Sequence, residues 1–321
     1  MPDQPAPSET FARRLAMLQT AFEGPVRTAL EAPDTIEILA NTDGTVRVET
    51  ASTGLVASPI RLSVSERERI IRLVASSTGA VCDHASPIIS AELPGSGERF
   101  EGVMPPVSEA PCFAIRKSAA TPFTLDHFIE IGTMSQRMGF AIRDAINCRQ
   151  NIIVAGGTSS GKTTLANALL SEPAFSRERI VTLEDTRELY PKASDKVQLR
   201  TQGALVTLRD LVRSTLRLRP DRIVVGEVRG AEALDLLKAW NTGHPGGITT
   251  LHANSCHGAL SRLEQLVGEA GHIDASPLIS EAVDVILFMS RSSGQRRIED
   301  AIRVCGLDGS GYRTEPFPGP L

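Results

Sequence analysis

The chain has 321 residues, room for two domains of ordinary size, and its 41% hydrophobic and 22% charged content is that of a globular protein. With 34 Lys and Arg against 38 Asp and Glu, the net charge is −4, which leaves no strong case for direct nucleic-acid binding through a basic surface. Aromatic residues make up 4%, too few for a platform on which single strands stack.

Residues 1–10 read as disordered, without the basic start and apolar run of a secretory signal. Apolar stretches such as Ile152–Ala155 and Val285–Met289 are strand-length, far below the roughly 20 residues that span a bilayer. The expectation is therefore a cytoplasmic protein, or one held at a membrane by partners. Phe11–Leu30 has a helical period in Leu15, Leu18, Phe22, Val26 and Leu30. Strand-like Thr35–Leu39 and Thr45–Glu49 flank the turn-rich Asn41–Gly44. Ser65, with Glu68 three residues on, reads as a capping box opening a helix to about Ser76. Strand-like pieces follow at Ile88–Leu93, Arg99–Val103 and Cys112–Arg116. The mixture predicts an α+β N-terminal domain over residues 1–118, followed by a small, polar linker over 119–124.

From Thr124 the chain turns helical, with an amphipathic helix at Gln136–Asn147. Strands then alternate with helices: Asn151–Ala155, Lys162–Leu170, Ile180–Leu183, Leu208–Leu216, Arg222–Val225, Ala231–Asn241, Ile248–Leu251, Ala259–Val267 and Ala282–Met289. This predicts an α/β domain over 125–305, a mostly parallel sheet with helices on both faces, whose ligands sit at the C-terminal strand ends. Residues 306–321 read as a loose tail. The five cysteines are scattered and form no CxxC pair, as expected of reduced thiols.

The segment Gly156-Gly157-Thr158-Ser159-Ser160-Gly161-Lys162-Thr163 matches GxxxxGK[ST] in full, after an apolar strand and before a helix. Glycines let successive amides curl into an anion nest at a helix N-terminus, with Thr164 in the same first turn. Lys162 adds a full charge against the β- and γ-phosphates, and the Thr163 hydroxyl suits the oxygen shell of Mg²⁺. Mg-ATP is the implied ligand. Such a site also needs a carboxylate for the metal and a group that orients water. Glu184 and Asp185 follow the strand Ile180–Leu183, and Glu227 follows Arg222–Val225. Acids at strand ends often cap turns instead, but two such ends in one phosphate-binding domain favour catalysis. His252 closes a third strand, where a contact to γ-phosphate or water and a satisfied semi-buried histidine are both open. His244, in Thr-Gly-His-Pro-Gly, reads as a loop-shaping residue.

Together these segments resemble the ATPases of type II and type IV secretion and type IV pilus systems. LEDTRELY looks like that family's acidic box, and LRLRPDRIVVGEVRGAEALDLLKAWNTGHPGGITTLHANS like its Walker B segment running into its histidine box. SAELPGSGERFEGVMPPVSEAPCFAIRK and EVRGAEALDLLKAWNTGH are similar to the conjugal-transfer branch of type IV secretion. The resemblance runs from about Phe11 to about Arg303 and is weakest over residues 1–60; no four-cysteine insert of the pilus and type II branches is present.

The resemblance implies a RecA-like ATPase domain, a homohexameric ring, and a seat on the cytoplasmic face of the inner membrane among components of a secretion apparatus. It implies that Lys162 and Thr163 hold phosphate and Mg²⁺, and that Glu184 and Glu227 position metal and water, with Glu227 the water-orienter. His252 would sense the γ-phosphate. Arg99 and Arg116, from the N-terminal domain, would reach the phosphates, with Arg217 and Arg219 carrying less weight. Alternatives are a pilus or type II secretion motor, a nucleotide-binding switch without turnover, and a RecA-like helicase or recombinase, against which the acidic charge balance and scarcity of aromatics speak.

Overall fold

A computed structural model describes residues 16–319 apart from 23, 51, 118–122, 204, 272–273, 293–294 and 310. The chain divides into two units, Met1–Ala120 and Thr121–Leu321. Expected disorder over residues 1–10 and most of the expected linker lie outside the described residues. The helical period of Phe11–Leu30 is interrupted within its described part. Residues 16–21 are helical, then Gly24, at φ 81°, and Pro25 start a separate helix α1 (Pro25–Glu31). Proline fits the first helical position because its missing N–H has no partner there.

In the N-terminal unit, six strands make an antiparallel sheet. They are β1 (Thr35–Ala40), β2 (Thr45–Thr50), β3 (Gly54–Arg61), β4 (Ile88–Glu92), β5 (Arg99–Val103) and β6 (Cys112–Arg116), in the order β3-β2-β1-β6-β5-β4. Helix α2 (Val64–Ser77) lays Ile70, Ile71 and Val74 in one core with Ile38, Val46, Phe100, Phe113 and Ile115 of the strands. Its capping box is made by Ser63 and Glu66, two residues before the pair Ser65 and Glu68 that the sequence suggests. Both pairs carry the right chemistry; register decides, since Ile70, Ile71 and Val74 must face the sheet. Strand β3 was not expected from the sequence: its residues are half-exposed at the sheet edge, and Pro59 stands within it. Arg67 is fully buried and donates to the carbonyls of Pro111 (2.6 Å), Thr42 (2.9 Å) and Leu62. One guanidinium thereby satisfies three turn carbonyls that have left the sheet.

The second unit opens with α3 (Leu125–Glu130) and α4 (Gln136–Asn147), capped by Thr124 and Ser135. Its eight strands are β7 (Ile152–Gly156), β8 (Ile180–Glu184), β9 (Lys196–Arg200), β10 (Arg222–Val225), β11 (Ile248–His252), β12 (Val285–Ser292), β13 (Gln295–Asp308) and β14 (Gly311–Pro316). They lie in the order β14-β13-β12-β7-β11-β10-β8-β9. The six from β12 to β9 are parallel, and β13 and β14 add an antiparallel edge. Alternate residues of β7 enter different cores. Ile153 and Ala155 join α6 (Leu208–Thr215), α7 (Glu232–Asn241), α8 (Cys256–Gly268) and α9 (Ser276–Ala282); Ile152 and Val154 join α3, α4 and α5 (Lys162–Leu170). Hence the strand is apolar throughout, as a sheet covered on both faces requires.

The structure departs from the sequence expectations at two places near the C-terminal end. Residues after Gly306 do not hang loose: β13 runs to Asp308, β14 returns beside it, and Phe317 is buried. The alternating pattern of Tyr312–Glu315, with only one face packed, was too weak to read as a strand. Strand β12 begins at Val285, because Ser276–Ala282 is a helix with Pro277 in its first turn.

Candidate active site

Parallel pairing brings the C-terminal ends of β7, β8, β10 and β11 to one edge of the sheet. His252 at the end of β11 pairs in register with Gly156 at the end of β7. Val225 of β10 pairs with Leu183 of β8, so that Glu184 and Glu227 leave neighbouring strands. Gly226 keeps them close: a β-carbon there would stand 3.0 Å from Cγ of Glu184. The Thr250 hydroxyl donates to the Gly226 carbonyl at 2.7 Å and fixes the turn from which Glu227 departs.

The loop after β7 has the backbone its glycines permit. Gly156 and Gly161 lie at φ 157° and 100°, and Ser159 at 58°. A β-carbon on Gly156 would meet the Met289 carbonyl oxygen at 2.4 Å and Ser160 Oγ at 2.6 Å, so no side chain fits. Lys162 opens α5, mostly buried, and its ammonium donates to the carbonyls of Gly156 (3.0 Å) and Gly157 (2.8 Å). Ser160 Oγ is buried without a hydrogen-bond partner among the described residues.

The carboxylates differ in kind. Glu184 is 3% exposed, and its Oε1 accepts from the amides of Glu188 (2.8 Å) and Leu189 (2.9 Å). Burial pushes its carboxyl up to about 7 in spite of those two donors. Asn167 of α5 holds the same loop, donating to the Glu188 carbonyl (2.7 Å) and accepting from the Tyr190 amide (2.8 Å). Glu184 is thus a loop anchor as well as a site residue. Asp185 is more exposed and accepts from the Thr201 hydroxyl at 3.0 Å. Glu227 receives Arg229, whose Nε donates to Oε2 at 2.8 Å. Nε2 of His252 lies 2.9 Å from the other oxygen, Oε1, out of line for a hydrogen bond, which leaves Oε1 buried and without such a partner among the described residues. Burial and the Lys162 ammonium hold the His252 imidazole below its ordinary value, against the opposing pull of Glu227.

Lys162, Glu227 and His252 therefore come together, with Glu184 and Asp185 on the adjoining strand end. Nothing in the sequence singles out Arg229: its partner Glu227 is two residues away, a spacing that carries no signal in a loop. His244 donates from Nδ1 to the Pro220 carbonyl (3.1 Å), as a loop-shaping residue does. Arg99 and Arg116 belong to the N-terminal unit, where they face each other across β5 and β6. Glu37 lies opposite Arg116 on β1; burial raises its carboxyl, against the nearby Arg116.

Among the described residues no cluster of three or more His, Cys, Asp or Glu could hold a metal by itself. Mg²⁺ held largely by phosphate oxygens asks for few protein donors; the Thr163 hydroxyl in the first turn of α5 and the Asp185 carboxylate just past the end of β8 are oxygen donors of the right kind.

Over residues 84–291 the chain matches the protein family described as Type II/IV secretion system protein. It is similar to the conjugal transfer protein TrbB of Rhizobium radiobacter, 43% identical over 307 residues, covering 95% of this chain and 94% of that one. It is also similar to the type IV secretion system protein VirB11 of Bartonella henselae, at 30% identity over 332 residues, with 89% and 92% covered. Among solved structures, the ATPase DotB of Legionella pneumophila shares 22% identity at a TM-score of 0.59, covering 97% of this chain and 84% of that chain. That last likeness speaks for the fold alone.

Proposed function

The chain belongs to the type II/IV secretion system protein family, and from that premise we propose that it is an ATPase that hydrolyses Mg-ATP at Gly156–Thr163 to power a conjugation-type type IV secretion apparatus. The observation that carries this reading is the convergence of Lys162, Glu227 and His252 at the end of the strand that feeds the phosphate loop. The similarity to a conjugal transfer protein supports the choice of apparatus.

Amides of Gly157–Thr164 cradle the phosphates, and Lys162 exchanges its two loop carbonyls for phosphate oxygens. Mg²⁺, held with the Thr163 hydroxyl, would neutralise charge on the β- and γ-phosphates. Glu227 orients the attacking water through Oε1, the oxygen left without a hydrogen bond, while Arg229 keeps Oε2 and fixes the carboxylate plane. His252, held neutral by burial and Lys162, contacts the γ-phosphate as a donor that adds no charge. Glu184 holds the loop that carries Asp185 at the metal side. Arg99 and Arg116 supply cations to the phosphates from the N-terminal unit, and the working form is a homohexamer attached peripherally to inner-membrane components on the cytoplasmic side. No helix among the described residues is long and apolar enough to cross a membrane.

Steady-state hydrolysis by the purified protein tests this. Lys162→Ala should abolish turnover, and Glu227→Gln should lower kcat at least 100-fold while ATP still binds, since a positioned base contributes roughly 10²–10⁴. Wild-type rates in the Lys162 variant would refute the assignment. Mass photometry with Mg-ATP should find a hexamer.

A further inference from the structure

The two flanks of β7 are unlike. On one side stand β11 and β10, which deliver His252 and Glu227. On the other stands β12, with Met289 in register with Gly156, so that the chain continues past the end of β7 and returns along β13. In that hairpin Met289 pairs with Ile298 and Arg291 with Arg296. Residues that pair across antiparallel strands share a face, as do residues two apart. Met289, Arg291, Arg296 and Ile298 therefore occupy one face, and Met289 and Ile298 pack in the core cluster that contains Leu165 and Leu169 of α5.

That face meets the phosphate loop at Gly161. A β-carbon on Gly161 would lie 3.1 Å from Cδ and 3.8 Å from Nε of Arg296, and 3.3 Å from Cε of Met289. Gly161, at φ 100°, starts the helix whose amides face the phosphates. The Arg296 stem thus lies against the cradle on the flank away from Glu227 and His252. A triphosphate seated there has its reacting end toward Glu227, which leaves its nucleoside end to face the β12–β13 hairpin. A guanidinium in that place offers a flat cation that stacks on a base.

We propose that Arg296 is the residue that grips the nucleoside end of the bound nucleotide, so that the protein prefers a nucleotide to a bare polyphosphate. The proposal rests on the nucleotide site assigned above. It is tested by calorimetric titration of Mg-ATP and Mg-tripolyphosphate into the full-length wild type, Arg296→Ala and Lys162→Ala. Arg296→Ala should weaken ATP about tenfold, the equivalent of about 1.4 kcal/mol, and leave tripolyphosphate within twofold. Retained tripolyphosphate binding also shows that the cradle is folded. Lys162→Ala should weaken both ligands. Equal weakening of ATP and tripolyphosphate in Arg296→Ala, or no weakening of ATP, would overturn the proposal while leaving the site intact. Failure of the wild type to bind either ligand would overturn the nucleotide site and this inference with it.

Discussion

Replacing Glu184 by glutamine tests whether its burial controls the stability of the second unit. The carboxyl is 3% exposed and is pushed from 4.5 to about 7 in the folded protein. The folded state therefore holds a proton that the unfolded chain has released at intermediate pH. Because the folded value is the higher one, this contribution is complete below about 4.5 and is lost as pH rises through about 7. A shift of this size corresponds to about 3 kcal/mol. Glutamine keeps an oxygen to accept from Glu188 and Leu189 and carries no charge, so its stability has no such slope. Trp240, the single tryptophan of the chain, is buried in the second unit and reports its unfolding by fluorescence. Urea melts of nucleotide-free wild type and Glu184→Gln between pH 5 and pH 8 should diverge, the variant gaining about 3 kcal/mol on the wild type as pH rises. Parallel pH profiles would refute the argument, since other titrating groups cancel in the difference.

Two further substitutions address how the sheet is held. Gly247→Ala would place a β-carbon 2.0 Å from Nε1 of Trp240 and 2.6 Å from the Ile223 carbonyl that Nε1 donates to. Such overpacking against backbone should cost about 3 kcal/mol and lower Tm by about 10 °C; an unchanged Tm would exclude it. Arg222 is 2% exposed, pairs with Glu178, donates to the Ile146 carbonyl at 3.0 Å and lies 4.5 Å over the Phe175 ring. Arg222→Met should destabilise by about 3 kcal/mol, the lower end for a broken buried pair, because Arg149 still neutralises Glu178 at 3.1 Å. A loss below about 1 kcal/mol in urea melts would show that the pair contributes little.

Much of the molecule is written locally. Strands β7, β8, β10 and β11 are apolar runs bounded by loops, and alternation with helices identifies a parallel sheet before any contact is known. The phosphate loop is equally legible, because an anion nest needs glycines, a lysine and a hydroxyl within eight consecutive positions. Glu184, Glu227 and His252 were found by a rule about strand ends, and they do leave the same edge. The half-packed strands β3, β9, β13 and β14 escaped, since a strand with one exposed face on a polar edge carries little apolar signal.

What the tertiary structure alone decided is which side chains share space. The chain gives Arg229 and Arg296 no distinguishing neighbours, yet folding sets one on Glu227 and the other against Gly161. It also turned Glu184 from one of two similar acids into a buried group that titrates near neutrality. Local sequence fixes backbone preference and charge, whereas burial and distance depend on segments that meet only after the sheet has formed. Those two quantities set the electrostatics of a site.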